Sequence, residues 1–200
     1  MISSTLSEAG GFLKTDQSLD RPDIQHHFVI GLIDDHLRKL HYGYGYSCHV
    51  CLLRPYSRGT VSLASAKHDD APLINPNFLN DSRDLETLIK GAKMTQNILN
   101  TPPLKKYQKS EIYGVNSNLT DKEWEQHIRN RADTIYHPVG TCKMGKDPLA
   151  VVNSSLKIRG LKNIRVADAS IMPTITSGNT NAPTIMIGEK CATMIMDVHA

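Results

Sequence analysis

No run of about 18 consecutive apolar residues occurs in the chain, so the ordinary membrane-spanning helix has no candidate segment. The start, "MISSTLSEAGG", has neither the basic nor the apolar stretch of a secretory signal, and the expectation is a cytoplasmic protein or one peripheral to a membrane. Clustered positive charge is equally scarce. Lys and Arg number 23 against 20 Asp and Glu, a formal charge of +3 spread along the chain, with nothing denser than pairs such as Lys105-Lys106. No nucleic-acid partner is expected from that pattern. Four cysteines, Cys48, Cys51, Cys142 and Cys191, are too few and too scattered for a disulfide framework and read as reduced thiols. There is no internal repeat and no low-complexity segment.

What remains is ordinary globular composition, 40% hydrophobic and 22% charged over 200 residues, enough for one sizeable core. "DIQHHFVIG" and "YSCHVCLLR" are β-rich runs, and "GTVSLAS" alternates, with Val61 and Leu63 on one face and Thr60 and Ser62 on the other. The three are expected to be neighbours in one antiparallel sheet. "CHVC" looks like half a zinc site, but in a strand Cys48 and Cys51 point to opposite faces, which a chelate cannot use. No metal is expected.

From Asp81 the period turns helical, through Leu85, Leu88, Ile89, Ala92 and Leu99, with a breaker at Pro102-Pro103. Thr120 and Glu123 have capping-box spacing ahead of Trp124, Ile128 and Ala132. That second helix leads into "YHPVGTCKMG". There Pro138 biases His137 towards extended backbone, and Gly140 and Gly145 permit turns, so an imidazole is presented on a stiff loop. "LKNIRVAD" reads as a short strand, and "NAPTIMIGEKCATMIMDV" as a helix apolar on nearly all sides, expected to be buried, with Pro183 in its first turn. Taken alone, His137 is either a hydrogen-bonded loop residue or a base. Asn179 and Asn181 are either caps or parts of an anion-friendly helix start.

"HPVGTCKMG", followed by "IRVADASIMPTITSGNTNAPTIMIGEKCA", closely resembles the C-terminal part of the glucose-methanol-choline (GMC) oxidoreductases, and "EAGGF", "RPDIQHHF" and "SRGTVSL" extend the likeness over nearly the whole chain. The resemblance implies an α+β fold: an antiparallel substrate domain packed with helices over residues 1–157, then a strand and helix over 158–200 that would complete an FAD-binding fold. It implies oxidation of a primary alcohol, choline or an alkanol, to the aldehyde, with hydride passing to N5 of FAD. His137 would match the histidine that takes or stabilises the hydroxyl proton, and Asn181 the second active-site position. Asp168, Ala169, Asn179, Asn181, Ala182, Pro183 and Thr184 would lie along the flavin cofactor, although Asp168 also reads as a turn residue ending a strand. Glu8 would match a residue near the substrate pocket.

The departure from the family is the absence of a G-x-G-x-x-G turn, the element that binds the ADP half of FAD. The chain therefore corresponds to roughly the last third of such an enzyme, beginning inside the substrate domain. FAD is expected in the longer enzyme and not on this chain alone, which is expected to self-associate through exposed apolar surface. The rival readings are a non-catalytic interaction module without flavin, a His/Cys metal protein and, within the family, lyase chemistry on cyanohydrins.

Overall fold

The computed structural model describes residues 7–199. Its strands are β1 (Ser7–Leu13), β2 (Ile24–Val29), β3 (Ser47–Leu52), β4 (Thr60–Ser62) and β5 (Leu73–Asn75); its α-helices are α1 (Ser82–Leu99), α2 (Pro102–Lys105), α3 (Asp121–Arg131) and α4 (Asn181–His199). Helices with small antiparallel sheets make an α+β fold. The described residues group into two compact units. One holds the chain up to Ser57 with Phe78–Thr134; the other holds Arg58–Asn77 with the chain from Ile135 onwards. No helix among the described residues is long and apolar enough to cross a membrane.

In the first unit the sheet order is β1-β2-β3, all antiparallel. Helix α1 packs on one face of it. Leu85, Leu88 and Ile128 are buried together with Val50 and Leu52 against them. Asp81 caps α1 by accepting from Arg83 N at 3.0 Å. The buried carboxylate of Asp84 accepts from the amides of Tyr56 and Ser57 at 2.7 and 2.8 Å, tying the chain after β3 to the start of α1. The capping box of Thr120 and Glu123 opens α3 as its spacing predicted, and Trp124 and Ile128 are its buried residues.

Two expectations need correction and a third is extended. "GTVSLAS" does not join the first sheet: β4 pairs with β5 in a separate two-stranded sheet, and the third partner is β1. The break expected at Pro102-Pro103 is found, α1 ending at Leu99, and the two prolines also open the short helix α2, since proline needs no amide partner in a first turn. "LKNIRVAD" forms no strand, only an isolated bridge between Lys157 and Arg165, because Asn163 takes a left-handed backbone (φ 61°) that interrupts the extended run.

The second unit has its own core of Val152, Leu156, Ile171, Met172, Ile187 and Cys191. Helix α4 was read as apolar on nearly all sides and suited to burial, with an apolar face left exposed where no partner surface covers it. Among its described residues Ile187 and Cys191 are buried, while Ile185, Met186 and Met196 are 59%, 58% and 64% exposed. The small core reaches one side of the helix and leaves the rest bare.

His26 shows how the first unit's core depends on protonation. Its Nε2 lies 2.8 Å from Thr95 Oγ1, which itself donates to Gly91 O at 2.9 Å, so the ring donates through Nε2–H. Nδ1 is buried without a partner among the described residues. Burial accordingly lowers the pKa below the usual histidine value. A histidine lowered in the folded state binds fewer protons there than when unfolded. Its contribution is therefore complete above about pH 6.5 and is lost as pH falls below that value towards the folded pKa. Urea unfolding at stepped pH should show stability falling below about pH 6.5, and His26→Gln should flatten that slope. His127, lowered by burial and by Arg131, leaves a residual slope of the same sign. In the same assay at neutral pH, Asp84→Ala should cost about 2–4 kcal/mol, because two backbone amides lose their acceptor; a cost within 0.5 kcal/mol would remove Asp84 as the tie.

Candidate functional site

The loop carrying His137 belongs to the second unit and is shaped by its backbone. Tyr136 takes a left-handed conformation (φ 65°), and Pro138 follows the histidine directly, so the imidazole stands on a sharply turned segment. Gly140 has φ 91°, a conformation that side-chain-bearing residues rarely adopt, and Lys143 N closes the turn onto Gly140 O at 3.2 Å. Beyond the turn, Cys142 N donates to Ser170 O at 3.0 Å and Met144 N to Ile171 O at 2.7 Å. These bonds lay "GTCKM" against "DASIM", whose Ile171 is 2% exposed in the core. Asp168 is itself exposed; its carboxylate accepts from Ser170 N at 2.8 Å and opens the 3-10 turn Ala169–Ile171. It is a turn residue locally, with no strand ending at it.

The third segment is the start of α4. Thr180 is 7% exposed, and its carbonyl accepts from Thr184 N at 3.0 Å, which makes it the residue that caps the helix. Its hydroxyl lies 3.0 Å from Nδ1 of His137. Asn179, Asn181 and Ala182 are exposed around it, and Pro183 and Thr184 are half-buried. The structure thus brings together His137, the turn carrying Asp168 and Ala169, and the first turn of α4 with Asn181. Thr180 was not singled out from the sequence. Its signal was a hydroxyl residue three positions before a proline, at a helix start, among asparagines that looked like better caps.

Glu8 lies in the first unit, exposed on β1, beside a cavity of about 300 Å³ that Phe12, Gln25 and His27 also line. In that sheet Cys48 pairs across with Phe28 and Cys51 with Gln25, on opposite faces. Burial pushes both thiols up to about 11, so they stay protonated at neutral pH and are poor ligands or nucleophiles. Among the described residues no group of three or more His, Cys, Asp or Glu is placed to hold a metal ion.

Residues 55–188 match the GMC oxidoreductase family, a span that contains "HPVGTCKMG", the second motif as far as Gly188 and the whole His137 site. The chain belongs to that family. Among curated relatives, it is 50% identical over 195 residues to an alcohol dehydrogenase (acceptor) of Pseudomonas putida, covering 98% of this chain and 35% of that protein. It is 40% identical over 190 residues to a mitochondrial choline dehydrogenase of Mus musculus, covering 94% of this chain and 32% of that one. The chain spans about a third of the length of these relatives. Pyridoxine 4-oxidase from Mesorbium loti has a similar structure, with a TM-score of 0.83 and 29% identity over 94% of this chain and 37% of its own. A formate oxidase of Aspergillus oryzae RIB40 gives a TM-score of 0.83 at 32% identity, over 90% of this chain and 32% of its own.

Proposed function

We propose that this chain is the part of an FAD-dependent oxidoreductase that carries the proton-handling residues for oxidising a primary alcohol, choline or an alkanol, to its aldehyde. The observation that carries the reading is the contact between His137 and the start of α4, made by the two motifs that define the family resemblance. The alcohol and choline dehydrogenases among its relatives support the substrate class, and the formate oxidase, whose FAD is the subject of its structure, supports the cofactor.

The residues present fit the flavin end of FAD. Asn179, Asn181 and Ala182 are exposed at the positive end of a 19-residue helix, where backbone amides lack intrahelical acceptors and favour an electron-rich edge. Asn179, Asn181, Ala182, Pro183 and Thr184 would hold the isoalloxazine side, and Asp168 with Ala169 the ribityl and diphosphate side. FAD, when bound, supplies the hydride acceptor. His137 takes the hydroxyl proton of the alcohol as a positioned base. Asn181 orients the substrate oxygen through its amide, which does not compete for the proton. Glu8 contributes to the substrate pocket.

In a chain extended to the length of its relatives, His137→Ala should lower the rate of flavin reduction by alcohol by about two to four decades, the usual worth of a positioned acid or base. FAD content should hardly change, and Asn181→Ala should lose less. Stopped-flow reduction at wild-type rate in His137→Ala would end the assignment. The 200-residue chain itself should purify colourless, because FAD is held largely through its ADP half by a glycine-rich turn that this sequence lacks. It should also self-associate through the exposed Ile185, Met186 and Met196 of α4. Light scattering with FAD titration tests both: a monodisperse monomer that binds FAD tightly and oxidises an alcohol would show a self-sufficient enzyme.

A further inference from the structure

A residue that caps a helix normally turns its side-chain oxygen back to accept the amide of the second or third helical residue. With Asn181 first in α4, the third position is Pro183, which has no amide to give. Half of the usual capping opportunity of Thr180 is therefore missing from the sequence. The hydroxyl points elsewhere, to Nδ1 of His137 at 3.0 Å, and Thr184 Oγ1 donates to the Thr180 carbonyl at 2.6 Å, so the helix start is closed without the Thr180 hydroxyl. The contact is sheltered on the threonine side, since Thr180 is buried and the ring only half-buried.

We propose that Thr180 is the positioning residue of His137: its hydroxyl oxygen accepts the Nδ1–H of the ring, holds the imidazole on the start of α4 and leaves the lone pair on Nε2 as the only one the ring can offer. Which ring nitrogen carries the proton is set by the partner of the other. A hydroxyl suits this place better than a carboxylate or an amide donor. It accepts from Nδ1–H in the neutral ring and in the imidazolium alike, so the ring need not turn when Nε2 takes a proton. It also adds no charge beside the proton being moved. The ring is thereby a base at Nε2 and, after protonation, an acid at the same atom. The use of this arrangement in alcohol oxidation rests on the role proposed above for His137; the tautomer and its cause do not.

The test is made on the 200-residue chain labelled with 15N, by long-range imidazole 1H–15N spectra at alkaline pH, with His137→Gln identifying the signals. The expected result is a His137 Nδ1 resonance in the protonated, pyrrole-like range and an Nε2 resonance in the pyridine-like range. Thr180→Val, which keeps shape and removes the oxygen, should move Nδ1 towards the pyridine-like range and Nε2 the other way. Thr180→Ser should restore the wild-type pair. A wild-type ring protonated on Nε2, shifts unchanged in Thr180→Val, or a folded Thr180→Ser that fails to restore them would each overturn the proposal. If Thr180→Val does not fold, the wild-type and Thr180→Ser spectra still decide it. Wild-type flavin reduction in a longer His137→Ala chain would remove the reaction while leaving the tautomer standing. A ring protonated on Nε2 would remove Thr180 while leaving the reaction to be carried by another arrangement.

Discussion

The amides of Cys142 and Met144 belong to no strand, and they find acceptors in the carbonyls of Ser170 and Ile171. Everything at the His137 site depends on that pairing. Buried or half-buried amides left without acceptors cost on the order of 1–3 kcal/mol each, so the loop is held in place rather than merely draped. Ile171 is driven into the core by its side chain, its backbone takes the two amides, and the turn at Gly140 then fixes where His137 emerges. The same residue stretch places Asp168 and Ala169 at the opposite end of the 3-10 turn. Two motifs that are 31 residues apart, from His137 to Asp168, thus become one local structure through hydrogen bonds that no periodicity in the sequence announces.

Elements that rest on local chemistry were legible. The capping box at Thr120 and Glu123, the helical period through Leu85 and Leu88, and the β-rich composition of β2 and β3 all depend on residues within a few positions of one another. Elements that rest on distant partners were not. β1 contains Gly10 and Gly11, which argue against a strand. Yet a side chain at Gly10 would sit 2.7 Å from the His26 carbonyl, so the close approach of β1 to β2 itself calls for glycine there. β4 was recognised as a strand by its alternation, but nothing in three residues tells which strand it joins. It pairs with β5, whose three residues Leu73–Asn75 are too few to show a period.

The candidate site was legible as motifs and illegible as contacts. His137 and Asn181 stood out through family resemblance, and the structure puts their segments together in one unit. The residue that touches His137 is Thr180, overlooked because the asparagines on either side are stronger capping types. Capping preference ranks side chains for an amide acceptor role, and Pro183 cancels part of that role here. The same proline that looked harmless in the first turn is what leaves a hydroxyl available for the imidazole.

The apolar character of α4 shows what hydropathy can and cannot say. A helix apolar on nearly all sides was expected to be suited to burial yet to keep an exposed face in this chain, and the core of the second unit meets it through Ile187 and Cys191. Hydropathy counts the faces that avoid water; it does not say that the covering surface lies in the same 200 residues. The helix is accordingly divided. Its first turn bears the exposed Asn181, one side anchors it through Ile187 and Cys191, and the remaining side presents Ile185 and Met196 to solvent. Thr180 sits at the end of this rigid rod, so any surface that covers the bare side and steadies the rod also steadies the hydroxyl that holds His137. The burial of the helix and the orientation of the imidazole are in this way a single mechanical problem.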